Sequence, residues 1–499
     1  MTHPLDDLRR QAKTLQKSYE RGERAAIERI ELVRLRRTGA LKRADFLHVI
    51  AREHSFASWP SLKTSVELRG MDRAAKLQRL KIALAHGQAQ VARQIIADNS
   101  DLADGEFGLQ VALYDLPAVQ AALRQNPDAA TQSWGGKTPI LHLTYSPMLR
   151  VWPDKEDDMC AIAALLVANG ADVNDGMSAE PGSDHMLSAL YGAIGHVGNL
   201  PMAQWLLDQG ADPNDNESLY HATELGHAKG VRMLLAAGAN PTGTNALLRA
   251  MDADDAEMVK LLLAAGADPN EDNGGMTALH HAAIRLCSAE VCALLLEHGA
   301  DQSIVRGGVT PYACARVFGH DALAGMLASE PLTEIEEKLA RAAVGDVDSG
   351  VSLDVSALPK PYANIVRDIL HLPGKLPHVQ ALVALGMPWN MPDEMGVTPV
   401  QTAGWEGLPE VMRFFLHLKP DLGHVNGYGG TLLSTVIHGS ENNPNRAGRD
   451  YLGCLELALQ EGVALPRRAI ELAGEPEVAE FLAEWAARYP GQFVEHGVA

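Results

Sequence analysis

Three groups of residues in the chain have the types and spacing that chemistry would need. Asp268-Pro269-Asn270-Glu271-Asp272 places oxygen ligands at positions 1, 3 and 5 of a calcium loop. Position 6, however, is Asn273 where such a loop needs glycine, and position 12 is Leu279 where a bidentate glutamate belongs. A turn is expected there, not a metal. Ser133-Trp134-Gly135-Gly136-Lys137-Thr138 ends like a phosphate-binding loop, but its leading glycine would fall at Thr131 and no strand precedes it. His142, His221, His280 and His281 are the candidate bases. Each would need a nucleophile or carboxylate held by a third group. The sequence offers no G-x-S-x-G and no H-E-x-x-H. Cys160, Cys287, Cys292, Cys314 and Cys454 are odd in number, scattered and without zinc-like spacing. No catalytic residue, cofactor or metal is therefore expected.

The elements that carry these residues repeat. "LLVANGADVND" near Gly170 returns as "LLDQGADPND" at Gly210, "LLAAGANPTG" at Gly238, "LLAAGADPNE" at Gly266 and "LLEHGADQSI" at Gly299. Those glycines are 40, 28, 28 and 33 residues apart. A companion motif runs through "GKTPILHL" (136–143), "GMTALHHAA" (275–283), "GVTPYACARVFGH" (308–320) and "GVTPVQTAGWEG" (396–407). Self-similarity at such a period marks a solenoid.

The wording resembles the ankyrin repeat family, whose units of about 33 residues are two helices and a β-turn. The resemblance implies an all-α solenoid of helix-turn-helix units and no enzyme activity. Each letter also has a physical task. Thr277, Thr310 and Thr398 can cap the first helix. Pro311 and Pro399 follow, where a missing N–H costs little. The pairs Leu206/Leu207, Leu234/Leu235, Leu262/Leu263 and Leu294/Leu295 lie on the second helix toward the neighbouring repeat. Gly210, Gly238, Gly266 and Gly299 end it in a left-handed turn. The resemblance also makes His142 and His280 structural, bonding a neighbouring turn, and turns His221 and His281 toward a concave groove.

Four segments are expected: an N-terminal helical module (1–70), a repeat stack (71–330), irregular or degenerate repeats (331–395), and C-terminal repeats with a cap (396–499). The module has Leu8, Ala12, Leu15 and Tyr19 on one helical stripe, with Phe56, Trp59 and Leu62 expected to pack it onto the first repeat. It resembles a module of bacterial ankyrin repeat proteins. The insert "DGMSAEPGSDHM" before Gly210 reads as a loop.

Charge and composition bound the function. Residues 1–70 hold 15 Lys+Arg against 9 Asp+Glu, while the whole chain carries −20. An acidic body argues against nucleic acid, which needs a basic face. No apolar run approaches the ~20 residues of a bilayer span, and no secretory signal opens the sequence. A cytoplasmic location without membrane or nucleic-acid partners is expected. The first-helix register points Glu224, Arg249, Asp252, His281, Arg285, Phe318 and Trp405 into the groove, and Trp152 stands in the insert 145–158. Aromatics and arginine favour interfaces, so the expected role is a protein-protein interaction scaffold whose acidic groove suits a basic partner. The alternatives are a toxin-neutralising immunity protein, a host-directed effector, or an enzyme or regulatory subunit using Asp354, His371 and His378.

Overall fold

The computed structural model describes residues 4–33, 41, 43–180, 182–346 and 352–495. Residues 34–40 of the N-terminal module and 347–351 of the irregular stretch lie outside the described residues. By internal packing the chain divides into two units, residues 1–250 with 265–267 and residues 251–264 with 268–499.

The first unit opens on the helices Pro4–Glu20, Arg24–Val33, Arg43–Glu53 and Trp59–Leu68. Their core is the stripe that the sequence shows: Leu8, Ala12 and Leu15 are buried, and the Tyr19 ring lies 5.7 Å from Phe46. Phe56, Trp59 and Leu62 join this same core. The helix Trp59–Leu68 packs against Ala89–Asp98 of the first hairpin, with Gln94 donating to the Ser61 carbonyl at 3.0 Å and Ser61 Oγ to Gln94 at 3.1 Å. Helical hairpins follow, Arg73–Ala85 with Ala89–Asp98, then Phe107–Ala112 with Leu116–Gln125, then Pro139–Thr144 with Glu156–Ala168. Next come Ala189–Tyr191, continued by a π-helical turn Gly192–His196, with Leu200–Asp208, and Ser218–Glu224 with Ala228–Ala236. The insert expected to be a loop is a β-hairpin at its base, Gly176–Ser178 pairing antiparallel with Met186–Ser188.

The second unit contains Ala278–Arg285 with Ala289–Glu297 and Pro311–Phe318 with Asp321–Met326. Glu334–Ala343 then packs against Leu376–Ala384 across an insertion. Pro399–Trp405 with Pro409–His417 and Leu432–Asn442 with Tyr451–Gln460 continue the series. A closing pair, Arg467–Leu472 and Pro476–Arg488, is tied by a parallel bridge of Leu465–Pro466 to Phe493–Val494.

The repeated letters explain these hairpins. Gly170, Gly210, Gly238 and Gly299 have φ of 95°, 90°, 96° and 88°, a region costly for any residue with a Cβ. The alanine after each then donates back to the leucine five residues earlier: Ala171 to Leu166, Ala211 to Leu206, Ala239 to Leu234 and Ala300 to Leu295, all at 3.0 Å. This C-terminal motif satisfies carbonyls that the helix end leaves orphaned. Leu206, Leu234, Leu262 and Leu295 are wholly buried, each worth about 1.5–3 kcal/mol of apolar transfer. Their partners Leu207, Leu235 and Leu294 are only half-buried. Thr310 Oγ1 accepts from the Ala313 N–H at 3.1 Å, and Pro311 occupies the first helical turn. At Thr277 and Thr398 the third helical residue reaches back, His280 and Gln401 accepting from the threonine N–H at 3.4 and 3.1 Å.

The acid-rich turns are tied by hydrogen bonds of their own. Asp172, Asp212 and Asp268 each accept from the N–H two residues on, at 2.9, 2.9 and 2.8 Å. The asparagine that follows reaches the next turn: Asn174 Oδ1 accepts from Asp212 N, Asn214 from Asn240 N and Asn270 from Asp301 N, each at 2.7 Å. Asn270 Nδ2 also donates to the Gly299 carbonyl at 2.9 Å. The Oδ1 atoms of these aspartates and asparagines thus accept from backbone N–H groups within and between the turns.

Candidate interaction surface

In the first unit a chain of polar contacts runs from the β-hairpin insert along the helices Ser218–Glu224 and Ala246–Asp252. His185 lies 2.5 Å from Glu217, whose other oxygen is 3.0 Å from His221 Nε2. His221 Nδ1 is 2.8 Å from Glu224, and Arg249 donates to Glu224 at 2.9 Å. Glu224 and Arg249 therefore sit side by side and already engaged. A partner must compete with these links or bind around them, so each ionic group contributes little by itself. Aromatic rings meet between earlier hairpins of this unit. Phe107 and Trp134 lie 5.5 Å apart, Tyr145 and His196 5.2 Å, and Tyr191 and His221 4.9 Å. Trp152 is half-buried in a run of tight turns, Pro147–Arg150 and Pro153–Lys155, held by Arg150 to the Val197 carbonyl and by Lys155 to the Tyr114 carbonyl.

In the second unit, Asp252 is shared by His281 and Arg285, each at 2.9 Å. Beyond them, the insertion between Glu334–Ala343 and Leu376–Ala384 folds back across earlier hairpins. Its helix Ile365–Ile369 packs against Ala278–Arg285. Tyr362 is buried with its ring 6.4 Å from Phe318, and its hydroxyl donates to the Glu336 carboxylate at 2.9 Å. Lys375 donates to the carbonyls of Phe318 and Gly319 at 2.9 and 3.0 Å, a cation at a helix C-terminus where the dipole favours it. Phe318 consequently has 0% exposure. The expectation of an exposed anchor at Phe318 is corrected: the chain's own insertion covers it. Burial pushes the Asp368 carboxyl up to about 6, with Arg285 and Arg367 pulling it down.

Asp354 and His378 do not form a site with His371. Asp354 caps a short turn through Ser356 at 3.0 Å, and His378 is buried with neither ring nitrogen hydrogen-bonded among the described residues. No hydrogen bond or ion pair joins the three among the described residues. Likewise, no group of three or more His, Cys, Asp or Glu is placed to hold a metal ion among them.

Trp405 stands in a different setting. Half-buried, it walls an open cleft of ≈ 780 Å³ with Tyr428, His438, Ile437, Asp393 and Glu441. Its ring lies 5.3 Å from His438, and its carbonyl is fixed by Asn443 Nδ2 at 3.1 Å and Tyr451 Oη at 3.2 Å. Tyr428 is 74% exposed at the rim. The cleft thus combines aromatic faces with two half-buried carboxylates.

The family model for ankyrin repeats matches residues 219–306 and 247–335. Residues 219–335 carry ankyrin repeats. Ankyrin repeats indicate a protein-protein interaction scaffold. Solved structures with similarity include the human ASB11 ankyrin repeat domain, at 20% identity over 45% of this chain and 99% of that one, with a TM-score of 0.35. The Bcl-3 ankyrin repeat domain, described as a member of the IkappaB family, gives 24% identity, coverage of 44% and 98%, and a TM-score of 0.37. An ankyrin repeat domain from Acinetobacter baumannii AYE gives 24%, 39% and 98%, and 0.29. No curated protein sequence matches the chain. No helix among the described residues is long and apolar enough to cross a membrane.

The ankyrin register also accounts for the histidines. His280 Nε2 bonds the Val309 carbonyl of the next turn at 3.2 Å, as the resemblance implies. His142 instead bonds Trp134 of its own turn at 2.7 Å. Tyr145, Tyr191, His196, Tyr428 and His438 were not singled out by sequence. They come from different ankyrin repeats, at positions outside the shared motif, and only folding gathers them.

Proposed function

We propose that this ankyrin repeat protein holds a basic segment of a partner protein, with the cleft around Trp405 and Tyr428 as the anchor. The supporting observation is that cleft: two aromatic faces beside Asp393 and Glu441 suit a lysine or arginine side chain, whose cation gains from both ring faces and carboxylates. The chain's charge of −20 would speed encounter with such a partner and make the on-rate fall with salt. Glu224, Arg249, Asp252, His281 and Arg285 are proposed as further contacts, secondary because each is already ion-paired. Trp152 is a peripheral candidate. The segments 1–70, 71–330, 331–395 and 396–499 are retained as the proposed functional division, in a cytoplasmic setting.

Affinity capture with the full chain, followed by binding measurements on the recovered partner, tests this reading. Tyr428→Ala and Trp405→Ala should each weaken binding at least tenfold, the scale of an interface anchor. Undiminished binding by both variants would place the contact elsewhere. Retention of binding with salt-independent association would remove the basic-partner component.

A further inference from the structure

The first unit contains a second cleft of opposite chemistry. It encloses ≈ 300 Å³ and is lined by Phe107, Trp134, Lys137, His142, Tyr145 and His196, with Lys81 and Glu106 at one side. Lys137 enters it from the turn Trp134–Lys137, closed by a bridge between those two residues. Gly135 and Gly136 form its tip with φ of 62° and 89°, so the chain reverses tightly and aims the lysine inward. The Lys137 ammonium stands 4.4 Å from the centre of the Tyr145 ring. Among the described residues no carboxylate pairs with it. Glu106, the one carboxylate of the lining among the described residues, is held by Lys81 at 3.0 Å.

An ammonium that is short of both water and a counter-ion is a costly arrangement. Burial lowers the Lys137 pKa. Burial also lowers His142 and His196, and Lys137 adds to both shifts, with Lys81 also acting on His142 and Arg150 on His196. In a chain of net charge −20, this cleft is a local positive site without its anion. The aromatic walls by themselves would suit a cation, but Lys137 already occupies the Tyr145 face and would repel a second one. A phosphate dianion asks for several converging donors, and the cleft brings the Lys137 ammonium and two imidazoles beside the buried apolar Phe107, its other ammonium, Lys81, being taken by Glu106. The match is a single negative charge carried on an apolar body.

We propose that this cleft binds an organic carboxylate with a flat or aliphatic flank, the acid pairing with Lys137 and the flank lying against Trp134 and Phe107. The carboxylate can belong to a free small acid or to an acidic side chain beside an apolar residue of a polypeptide. The assignment stands independently of the partner cleft around Trp405.

The test uses the full chain labelled with 5-fluorotryptophan, whose seven tryptophans report separately, with Trp134 identified by its loss in Trp134→Phe. Sodium benzoate and the capped dipeptide acetyl-Phe-Glu-amide are titrated against their neutral counterparts, benzamide and acetyl-Phe-Gln-amide. A saturable shift of the Trp134 resonance is expected with the acids, and the neutral analogues should bind roughly tenfold weaker or less, the scale of a charge-assisted pair. Lys137→Met, which keeps the stem and removes the charge, should weaken the acids by a similar factor. The exposed-site control Lys229→Met should not. A response to benzoate alone assigns a free acid; a response to the dipeptide alone, or a stronger one, assigns a polypeptide side chain. Equal binding of the neutral analogues overturns the proposal on the wild-type chain alone, whatever the folding of the variant. So does an unchanged Lys137→Met, or the absence of a Trp134 shift with either acid.

Discussion

Replacing Tyr362 by phenylalanine removes one hydroxyl from the insertion and leaves the ring that faces Phe318. That hydroxyl donates to Glu336 at 2.9 Å, and Glu336 is 5% exposed. Burial, with Cys314 and Glu336 adding, pushes the phenol well above its ordinary pKa, so it stays a donor throughout the working pH range. A hydrogen bond to a charged group contributes about 1.5–3 kcal/mol. Glu336 keeps two other bonds, from the Thr333 N–H at 2.9 Å and Thr333 Oγ1 at 2.8 Å, which should hold the loss near the middle of that range. A loss of about 2 kcal/mol corresponds to roughly 30-fold faster local opening. Amide hydrogen exchange across Ile365–Ile369 and Glu334–Ala343, the helices that the bond joins to the insertion, reads this directly. A cycle with Glu336→Gln should show coupling of about 1 kcal/mol or more between the two sites. Exchange unchanged within about twofold, or additive effects in the cycle, would refute the idea that this bond locks the insertion down.

Leu262→Asp buries a charge at a site of 0% exposure and should abolish exchange protection in Ala256–Ala264 and Ala289–Glu297 while leaving Tyr451–Gln460 protected. Asp368 carries a native pKa raised to about 6, above its unfolded value, so the native state binds the extra proton and stability falls as pH rises from about 4 through 6. Denaturant unfolding of wild type relative to Asp368→Asn should show that decline, by no more than about 3 kcal/mol, and a flat difference would contradict it. His378 has the opposite sign: burial, with Lys375 adding, pushes it down to about 3, so its contribution is lost as pH falls below the ordinary histidine range. His378→Leu should raise stability by about 1 kcal/mol at neutral pH, more in acid, because an unsatisfied buried imidazole is replaced by apolar volume; a destabilised variant in unfolding titrations would count against this.

What could be read from the sequence is what depends on near neighbours in the chain. Gly210, Gly238 and Gly299 end helices because φ > 0 is a local demand, and the buried leucine five residues before the following alanine belongs to the same local motif. The turn asparagines were legible as turn formers but not as links, since Asn174 acts on a residue 38 positions away. The insertion was illegible for a deeper reason. Residues between Ala343 and Leu376 have no period, and Tyr362, Ile365 and Ile369 are buried only because helices far earlier in the chain offer them a surface. The same cause hides the burial of Phe318, since nothing local reveals that another segment arrives to cover it. The two clefts share this origin, each assembled from turns and helices of separate repeats.

The way the insertion is fastened has a mechanical meaning. Asn174, Asn214 and Asn270 each join one turn to its immediate successor, so hairpins tied in that way would peel away singly under tension, each at a modest force. The insertion instead straps Ala278–Arg285, Pro311–Phe318 and Glu334–Ala343 together through Ile365–Ile369, Tyr362 and Lys375. Those helices would resist pulling as a block and give way in one step, leaving a stiff segment where the pattern of repeats alone forecasts a uniform spring.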